Sequence, residues 1–531
     1  MKAPGSRELL RIAMAVLIIG TAPAKVSDAA CARNRASAPA PQGGSTADTS
    51  SEQEEALRTA VRTSPGDAAA WTRLGTFLAA TNRFQEAAQA LEKAVQLQPE
   101  EWHARRSLAA SYWQLGEMEK ASKQLELVLK AKPDDTFAML LLGLISEDLG
   151  NHPRAAKLLG DVLPLVRQRP EAVAALARAR YHVGQQQKAR DALQMLQGGS
   201  ARPADVFAGG RLAAEFKDYE MAEKLFASIE MTYPDAGALS YNLALARFSA
   251  RRYQPCAETL LSSVANGHGN ADVFALLGLT YGKLNQLEDM MKAFERSINM
   301  DPANQAHFID LGEALVEKRN YPTALEVAKE AVKRFPSSSQ AYAFEGSVEL
   351  KMSLLTEALK SYTEGVRRDP ENPRAALGLA LTQWNMDRTD EAAESFQRGV
   401  QKFPGDAFFQ LKYALFLLNE PGERDAQKDA QIKGLLKTSE ELDPNNPETH
   451  FQLGNLALKE SNYEQGLSEL QTAERLDPEI AKVHLMLARI YRRMGRAEDA
   501  EKETQLHRKL KEKEEQETDA AAAIGTGARH P

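Results

Sequence analysis

The apolar positions of this chain repeat with two periods at once. At short range they follow helical spacing. In residues 271–304, Phe274, Gly278 and Tyr281 share one face, a break comes near Asn285, and Leu287, Met290 and Phe294 share the face of a second segment. At long range the pattern returns every 34 residues, an interval marked by prolines at 65, 99 and 133, at 302, 336, 370 and 404, and at 444 and 478. Pro234 and Pro302 stand two intervals apart. Two residues after these prolines comes a helix-capping type: Asp67, Asp135, Asn304, Ser338, Asn372, Asp406 or Asn446. Each can accept a hydrogen bond from an unpaired amide of a first helical turn. Pro373 and Pro447 follow their caps at the first helical position, where a missing N–H leaves no helical bond unmade. Asn270 keeps the cap register although His268 replaces the proline before it. These marks predict thirteen units beginning at 68, 102, 136, 170, 203, 237, 271, 305, 339, 373, 407, 447 and 481.

Each unit reads as two short amphipathic helices. Position eight is small: Gly75, Gly143, Gly210, Gly278, Gly312, Gly346 and Gly454, and otherwise mostly Ala. Position twenty is Ala87, Ala121, Ala155, Ala189, Ala222, Ala324, Ala358 and Ala392. Small side chains let two antiparallel helices approach closely. Larger ones (Phe84, Tyr219, Tyr253, Tyr321 and Tyr463, then Phe226, Phe294, Tyr362 and Phe396) are expected to fill the space between units. One helix pair cannot bury its own faces, whereas a stack can.

The unit beginning at 68 carries Trp71, Gly75, Phe84, Ala87, Ala94 and Pro99, and so resembles the tetratricopeptide repeat at its signature positions. The resemblance runs from 68 to about 512, with residues 52–65 reading as a lone second helix ahead of the first unit. It implies an all-α, right-handed superhelical solenoid of antiparallel helix pairs, whose first helices line a concave groove that holds extended peptides or a helix. Transferring the groove positions selects Arg73, Trp113, Arg211, Asn242, Asp310, Glu313, Gln452, Asn455 and Arg489 as partner-binding candidates. The carboxylate clamp of some family members is not supported, because Phe207, Asp272 and Leu276 stand where basic partners of Asn242 belong. Asp310 and Glu313 are expected to make an acidic middle, and Lys482, Arg489, Arg492 and Arg493 a basic end. Some units depart from the pattern. The fourth ends in Gly198-Gly199-Ser200 without a closing proline, the sixth has Cys256 at position twenty, and the eleventh carries about six extra residues around Asn419-Glu420-Pro421-Gly422. Residues 508–519 read as a solvating cap helix.

The N-terminus reads as an address. Lys2, Arg7 and Arg11 precede a short apolar run, 12–19, and Ala22-Pro23-Ala24 fits a signal-peptidase site. The expected organisation is a signal peptide over 1–24 (cleavage up to 30), a flexible linker over 25–51, the repeat solenoid over 52–517 and a disordered tail over 518–531. Cys31 offers a second reading, as the lipidated first residue of a lipoprotein, although Asp28 stands where an aliphatic residue is usual. The run 12–19 is too short to span a bilayer, so no integral span is expected.

Composition narrows the function. With 66 Lys and Arg against 73 Asp and Glu the net charge is −7, which lacks the basic footprint of a nucleic-acid binder. Two cysteines in 531 residues exclude a disulfide scaffold and Cys-rich zinc modules. No glycine-rich phosphate loop occurs, and the nine histidines are scattered without an i, i+4 pair. His450 and His484 occupy position four, that of Trp71, and read as packing residues. Cys256 reads as a small buried filler. With repeats across nearly all of 52–517, no catalytic residue, cofactor or metal is expected. The expectation is a non-catalytic scaffold for protein or peptide segments, periplasmic or secreted from a bacterial cell, in envelope assembly, secretion or polysaccharide export. The alternatives are a carbohydrate- or polymer-binding module, with Trp113 and Trp384 as groove aromatics, and a regulatory subunit of an envelope enzyme.

Overall fold

The structure is a computed structural model that describes residues 46–197, 201–420 and 426–526. The expected signal peptide and Cys31 lie outside the described residues. Among the described residues there are helices and no strands, and no helix is long and apolar enough to cross a membrane. The first helices begin at Ala68, Trp102, Thr136, Pro170, Pro203, Ala236, Ala271, Gln305, Ser339, Pro373, Ala407, Pro447 and Ala481, and only the sixth departs from its expected start, by one residue. Asp67, Asp135, Asn270, Asn304, Ser338, Asn372, Asp406 and Asn446 each accept a hydrogen bond from a first-turn amide. The turn inside a pair is equally regular. One residue there turns left-handed, as at Asn82, Gly116, Arg251, Asn285, Arg319 and Asp387, with φ between 56° and 77°.

The chain divides after Pro302 into two compact units. Within each, a second helix packs against its own first helix and against the first helix of the next pair. In most neighbouring pairs the first helices also touch one another, whereas second helices make no comparable contact. The first helices are therefore the crowded, inner side of each stack.

Steric fit between small and large residues sets the helix spacing. A Cβ added at Gly278 would lie 2.6 Å from the ring of Phe294, and one at Gly143 would lie 2.7 Å from Leu159. The position-twenty alanines are all inaccessible, as is Cys256. Burial pushes the Cys256 thiol up to about 11, and its Sγ lies 3.3 Å from Thr280 Oγ1, so it is an inert filler as expected. Tyr362 serves two pairs: its ring lies against Gly346 of its own pair and Gly378 of the next. The rings at the starts of second helices, among them Phe84, Tyr253 and Tyr321, differ from expectation. They stay half-buried, and Phe226, Phe294, Tyr362 and Phe396 do the filling.

Position four has a role that its packing reading missed. Trp71 Nε1, Arg105 Nε, Gln410 Nε2, His450 Nε2 and His484 Nε2 lie 3.0, 2.8, 3.4, 3.0 and 2.9 Å from the carbonyl oxygens of Pro65, Pro99, Pro404, Pro444 and Pro478. The punctuating proline thus has its carbonyl satisfied by a side-chain N–H six residues on, which accounts for four dissimilar residue types at one position. Where position four is Phe308 or Tyr342, an arginine, Arg334 or Arg368, covers the ring instead. Polar links also tie pairs together. Asp218, 1% exposed, accepts from Tyr181 and from both ends of the Arg190 guanidinium, all at 2.8 Å.

Some boundaries fall elsewhere than expected. The leading helix is Thr46–Thr63, so it starts inside the stretch read as linker. The second helix of the third pair is split into His152–Asp161 and Leu163–Val166, because Pro164 removes a helical donor and crowds the carbonyl four residues back. In the fourth pair the second helix, Gln186–Gln194, ends in a 3₁₀ turn at Met195–Gln197. Residues 198–200, and 421–425 of the eleventh-unit insertion, lie outside the described residues. The last second helix, Ala497–Thr526, is continuous, so the charged stretch extends the thirteenth pair into the segment read as a disordered tail.

Two outcomes follow from this packing. Gly378→Ala places a Cβ 2.0 Å from buried Tyr362, and should destabilise the chain by about 1–3 kcal/mol in urea unfolding, with faster hydrogen exchange in helices Leu355–Arg368 and Pro373–Asn385. Glu349, which accepts from Ser361 Oγ at 2.7 Å, has its carboxyl pushed up to about 7 from 4.5, chiefly by burial. A carboxyl with a raised folded pKa favours folding while protonated, so its contribution is complete below pH 4.5 and lost as pH rises through about 7. Glu349→Gln should therefore raise the melting temperature above pH 7, by about 1 kcal/mol of stability after solvent screening, and leave it unchanged near pH 4.

Candidate functional site

The inner side of each stack is built from first helices, so that is where the groove candidates are placed. Their states differ widely. Arg73, Arg211 and Arg489 are exposed. Arg73 lies 3.8 Å from Asp67, and Arg489 lies against Met486. Asn455 is half-buried. Asn242 is also half-buried and donates its amide to Ala238 O of its own helix at 2.8 Å, and Gln452 donates to Glu448 at 2.7 Å.

Three candidates are engaged within the fold. Asp310 is 9% exposed, so little of its carboxylate reaches the inner surface. Glu313 pairs with Arg374 at 3.1 Å, so the expected acidic middle is largely taken up by folding. Trp113 donates Nε1 to Asp148 at 2.8 Å and packs against the apolar core around Leu108 and Leu142. Trp384 is used in the same way, edge-on to Phe396 and Phe416. Both indoles are half-buried and engaged in contacts within the fold. At the basic end, Lys482 pairs with Glu448 at 2.6 Å and Arg492 donates to Thr504, while Arg489 and Arg493 remain exposed.

Within residues 303–531, the Glu313–Arg374 pair joins first helices two pairs apart, past the intervening helix Ser339–Lys351. On the same side stands Lys412, on helix Ala407–Asn419, half-buried with its ammonium 4.9 Å from the ring centre of Phe408. Its pKa is lowered, chiefly by burial and further by Lys482 and Lys351, against the pull of Glu448. Nothing in the local sequence around Lys412 announces this. The signal is the spacing: Lys351 and Lys482 lie on first helices that the fold folds inward toward it.

The structure also gathers groups that looked scattered. Glu440, His450 and Glu469 meet, and so do Glu474, His484 and Glu503. The second set repeats the first at a 34-residue shift, a signal legible in the sequence once the repeat frame is laid over the acidic residues. His450 Nδ1 is 2.8 Å from Glu469 Oε2 and 3.8 Å from Glu440 Oε1, and His484 Nδ1 is 2.7 Å from Glu503 Oε2. The His450 imidazole is raised above its ordinary value, chiefly by its bond to Glu469.

A stack of such helix pairs, with capped starts, glycine contacts and an inner first-helix face, defines a repeat scaffold that recognises other chains. Sequence comparison places it among known proteins. The chain belongs to the tetratricopeptide repeat family. The family's profiles match residues 309–362, 345–407 and 451–508, and residues 271–304. Residues 46–173 match the tetratricopeptide domain of cytochrome c-type biogenesis protein H. The chain is similar to Hsp70-Hsp90 organizing protein 3 of Arabidopsis thaliana, with 28% identity over 111 residues, which is 21% of this chain and 18% of the length of that relative. Among solved structures it is similar to the anaphase-promoting complex hetero-tetramer Cut9-Hcn1 (TM-score 0.37, 13% identity, 83% of this chain and 94% of that one). It is also similar to yeast Tom70 (TM-score 0.40, 16% identity, 80% and 96%).

The state of Lys412 gives a direct expectation. An ammonium with a lowered folded pKa favours folding only when neutral, a contribution lost as pH falls from 10.5. At pH 7 the buried charge is a burden, and Lys412→Met should stabilise the chain by about 1 kcal/mol in urea unfolding, with the gain shrinking as pH approaches 10.5.

Proposed function

We propose that this chain is a non-catalytic scaffold that docks protein or peptide segments, acidic ones foremost, on the first-helix face, and that it works in cell-envelope assembly, secretion or polysaccharide export after export through its N-terminal signal. The observation that carries the docking reading is Lys412. A cation kept half-buried on the inner face, where Glu448 is shared with Lys482 and only partly offsets burial and the charges of Lys482 and Lys351, is relieved further by an incoming carboxylate. The exposed Arg489 and Arg493 extend the same charge preference. A relative named for organizing two other proteins, and a matched domain named for a biogenesis protein, support an assembly role. The location rests on the residue pattern at 2–24, together with the Ala-x-Ala site. Under the same reading Cys31 is the candidate point of lipid attachment.

The test uses photoreactive groups at Lys412, Arg211 and Arg489 in intact cells, with Met231, which is 94% exposed, as a control site. A defined protein captured at Lys412 and Arg489 but not at Met231 supports the docking face. Its affinity, measured with the purified partner, should fall about tenfold or more in Lys412→Met although that variant is more stable. Equal capture at all sites, or undiminished affinity in Lys412→Met, overturns it. Mass spectrometry of the mature N-terminus tests the location. Cleavage near Ala24 supports export, an acylated Cys31 supports an anchored form, and an intact Met1 in a cytosolic fraction overturns both.

A further inference from the structure

The two Glu–His–Glu groups have a feature that packing alone does not explain. Glu440 lies on helix Ala426–Leu442, His450 on Pro447–Lys459 and Glu469 on Tyr463–Leu476, so three successive helices converge on one point. Glu474, His484 and Glu503 do the same from Tyr463–Leu476, Ala481–Arg493 and Ala497–Thr526. In each group one ligand atom per residue lies within 4.8 Å of the others. The imidazoles are buried, with side-chain exposure of 6% for His450 and 0% for His484.

The tautomer is set by the fold. Nε2 of each ring faces a proline carbonyl at 3.0 or 2.9 Å, and a carbonyl only accepts, so Nε2 carries the proton. In the neutral ring Nδ1 then presents a lone pair, and what it faces is a carboxylate oxygen 2.8 or 2.7 Å away. Two acceptors at that distance need a cation between them. A proton on Nδ1 satisfies one carboxylate only. The second carboxylate of each group, Glu440 or Glu474, would stay as a second half-buried negative charge beside the first, offset at Glu440 in part by Lys437. A divalent ion matches one neutral imidazole and two carboxylates in full. Bonds of about 2.0–2.1 Å in a tetrahedral site put ligand atoms about 3.3 Å apart; at His450 the two carboxylate oxygens stand at 2.8 and 3.8 Å, so small side-chain shifts, Glu469 outward and Glu440 inward, admit the ion. The Nε2–H to carbonyl bond is the outer contact that fixes a ligating histidine.

We propose that Glu440, His450 and Glu469, and separately Glu474, His484 and Glu503, bind divalent transition-metal ions of the zinc class through Nδ1 and two carboxylates. Each ion clips a second helix to the next pair at the end of the stack. One coordination position is left for water.

The experiment uses the full chain, stripped with chelator and titrated with zinc chloride alone by calorimetry, with melting temperature followed in parallel. Two saturable sites and a higher melting temperature are expected. H450Q and H484Q should each leave one site, and the double variant none. E440Q is the variant that separates metal from proton, because it keeps the His450–Glu469 pair and Glu440 is one-third exposed, so the fold survives. It should weaken one site by about tenfold or more while the metal-free melting temperature is held or raised. Cobalt(II) should give visible bands of a low-coordinate site that the double variant lacks. Wild-type protein with a helical spectrum and no saturable zinc binding overturns the proposal and leaves a proton in each group. Binding that persists unchanged in the double variant or in E440Q overturns it as well.

Discussion

The closeness with which two helices of a pair can meet governs everything else in this molecule. Where a first helix offers glycine, the facing leucine, phenylalanine or tyrosine occupies the space a Cβ would need, as at Gly75 against Leu91 and Gly278 against Phe294. The inaccessible alanines at position twenty complete that contact from the other helix. Because one side chain is small and its partner large, the pairs interdigitate instead of sliding, and van der Waals contact is gained along the whole interface. Tyr362 shows how the same device carries stacking from pair to pair, since it needs glycine on both sides.

The repeat also solves a polar problem once and reuses the solution. A proline near the end of a second helix stops the helix and leaves its own carbonyl to be satisfied. Position four of the next helix supplies an N–H, from Trp71, Arg105, Gln410, His450 or His484. What must be preserved is a donor at one place, so the residue type is free to vary. Histidine brings a second nitrogen that can hold a lone pair, and among the described residues it is at His450 and His484 that two carboxylates from flanking helices meet it. A structural contact in the early pairs thereby becomes a chemically distinct site in the last ones.

Function on such a scaffold depends on which inner side chains the fold leaves available. Several polar groups on first helices are consumed by it: Glu313 by Arg374, Trp113 by Asp148, Gln452 by Glu448. Lys412 is the contrary case, a charge retained on that side where burial and two other lysines outweigh the pull of Glu448. Under the proposed docking of acidic segments, relief of this half-buried charge would add to binding.

The sequence by itself determined the register of the thirteen pairs. Caps such as Asn372, punctuating prolines such as Pro370 and the small residues at positions eight and twenty act within a few residues of their own place, so a 34-residue repeat exposes them without reference to distant chain. Local chemistry of the same kind explains Cys256 as a filler. Tertiary structure alone decided which polar residues are spent and which are free. Asp310 is buried and Trp384 packs against the core because of side chains from neighbouring helices, and Lys412 feels Lys351, Lys482 and Glu448 because first helices crowd together on one side. The Glu440–His450–Glu469 meeting likewise depends on three helices arriving at one point, a geometry set by packing angles that no single segment of sequence contains.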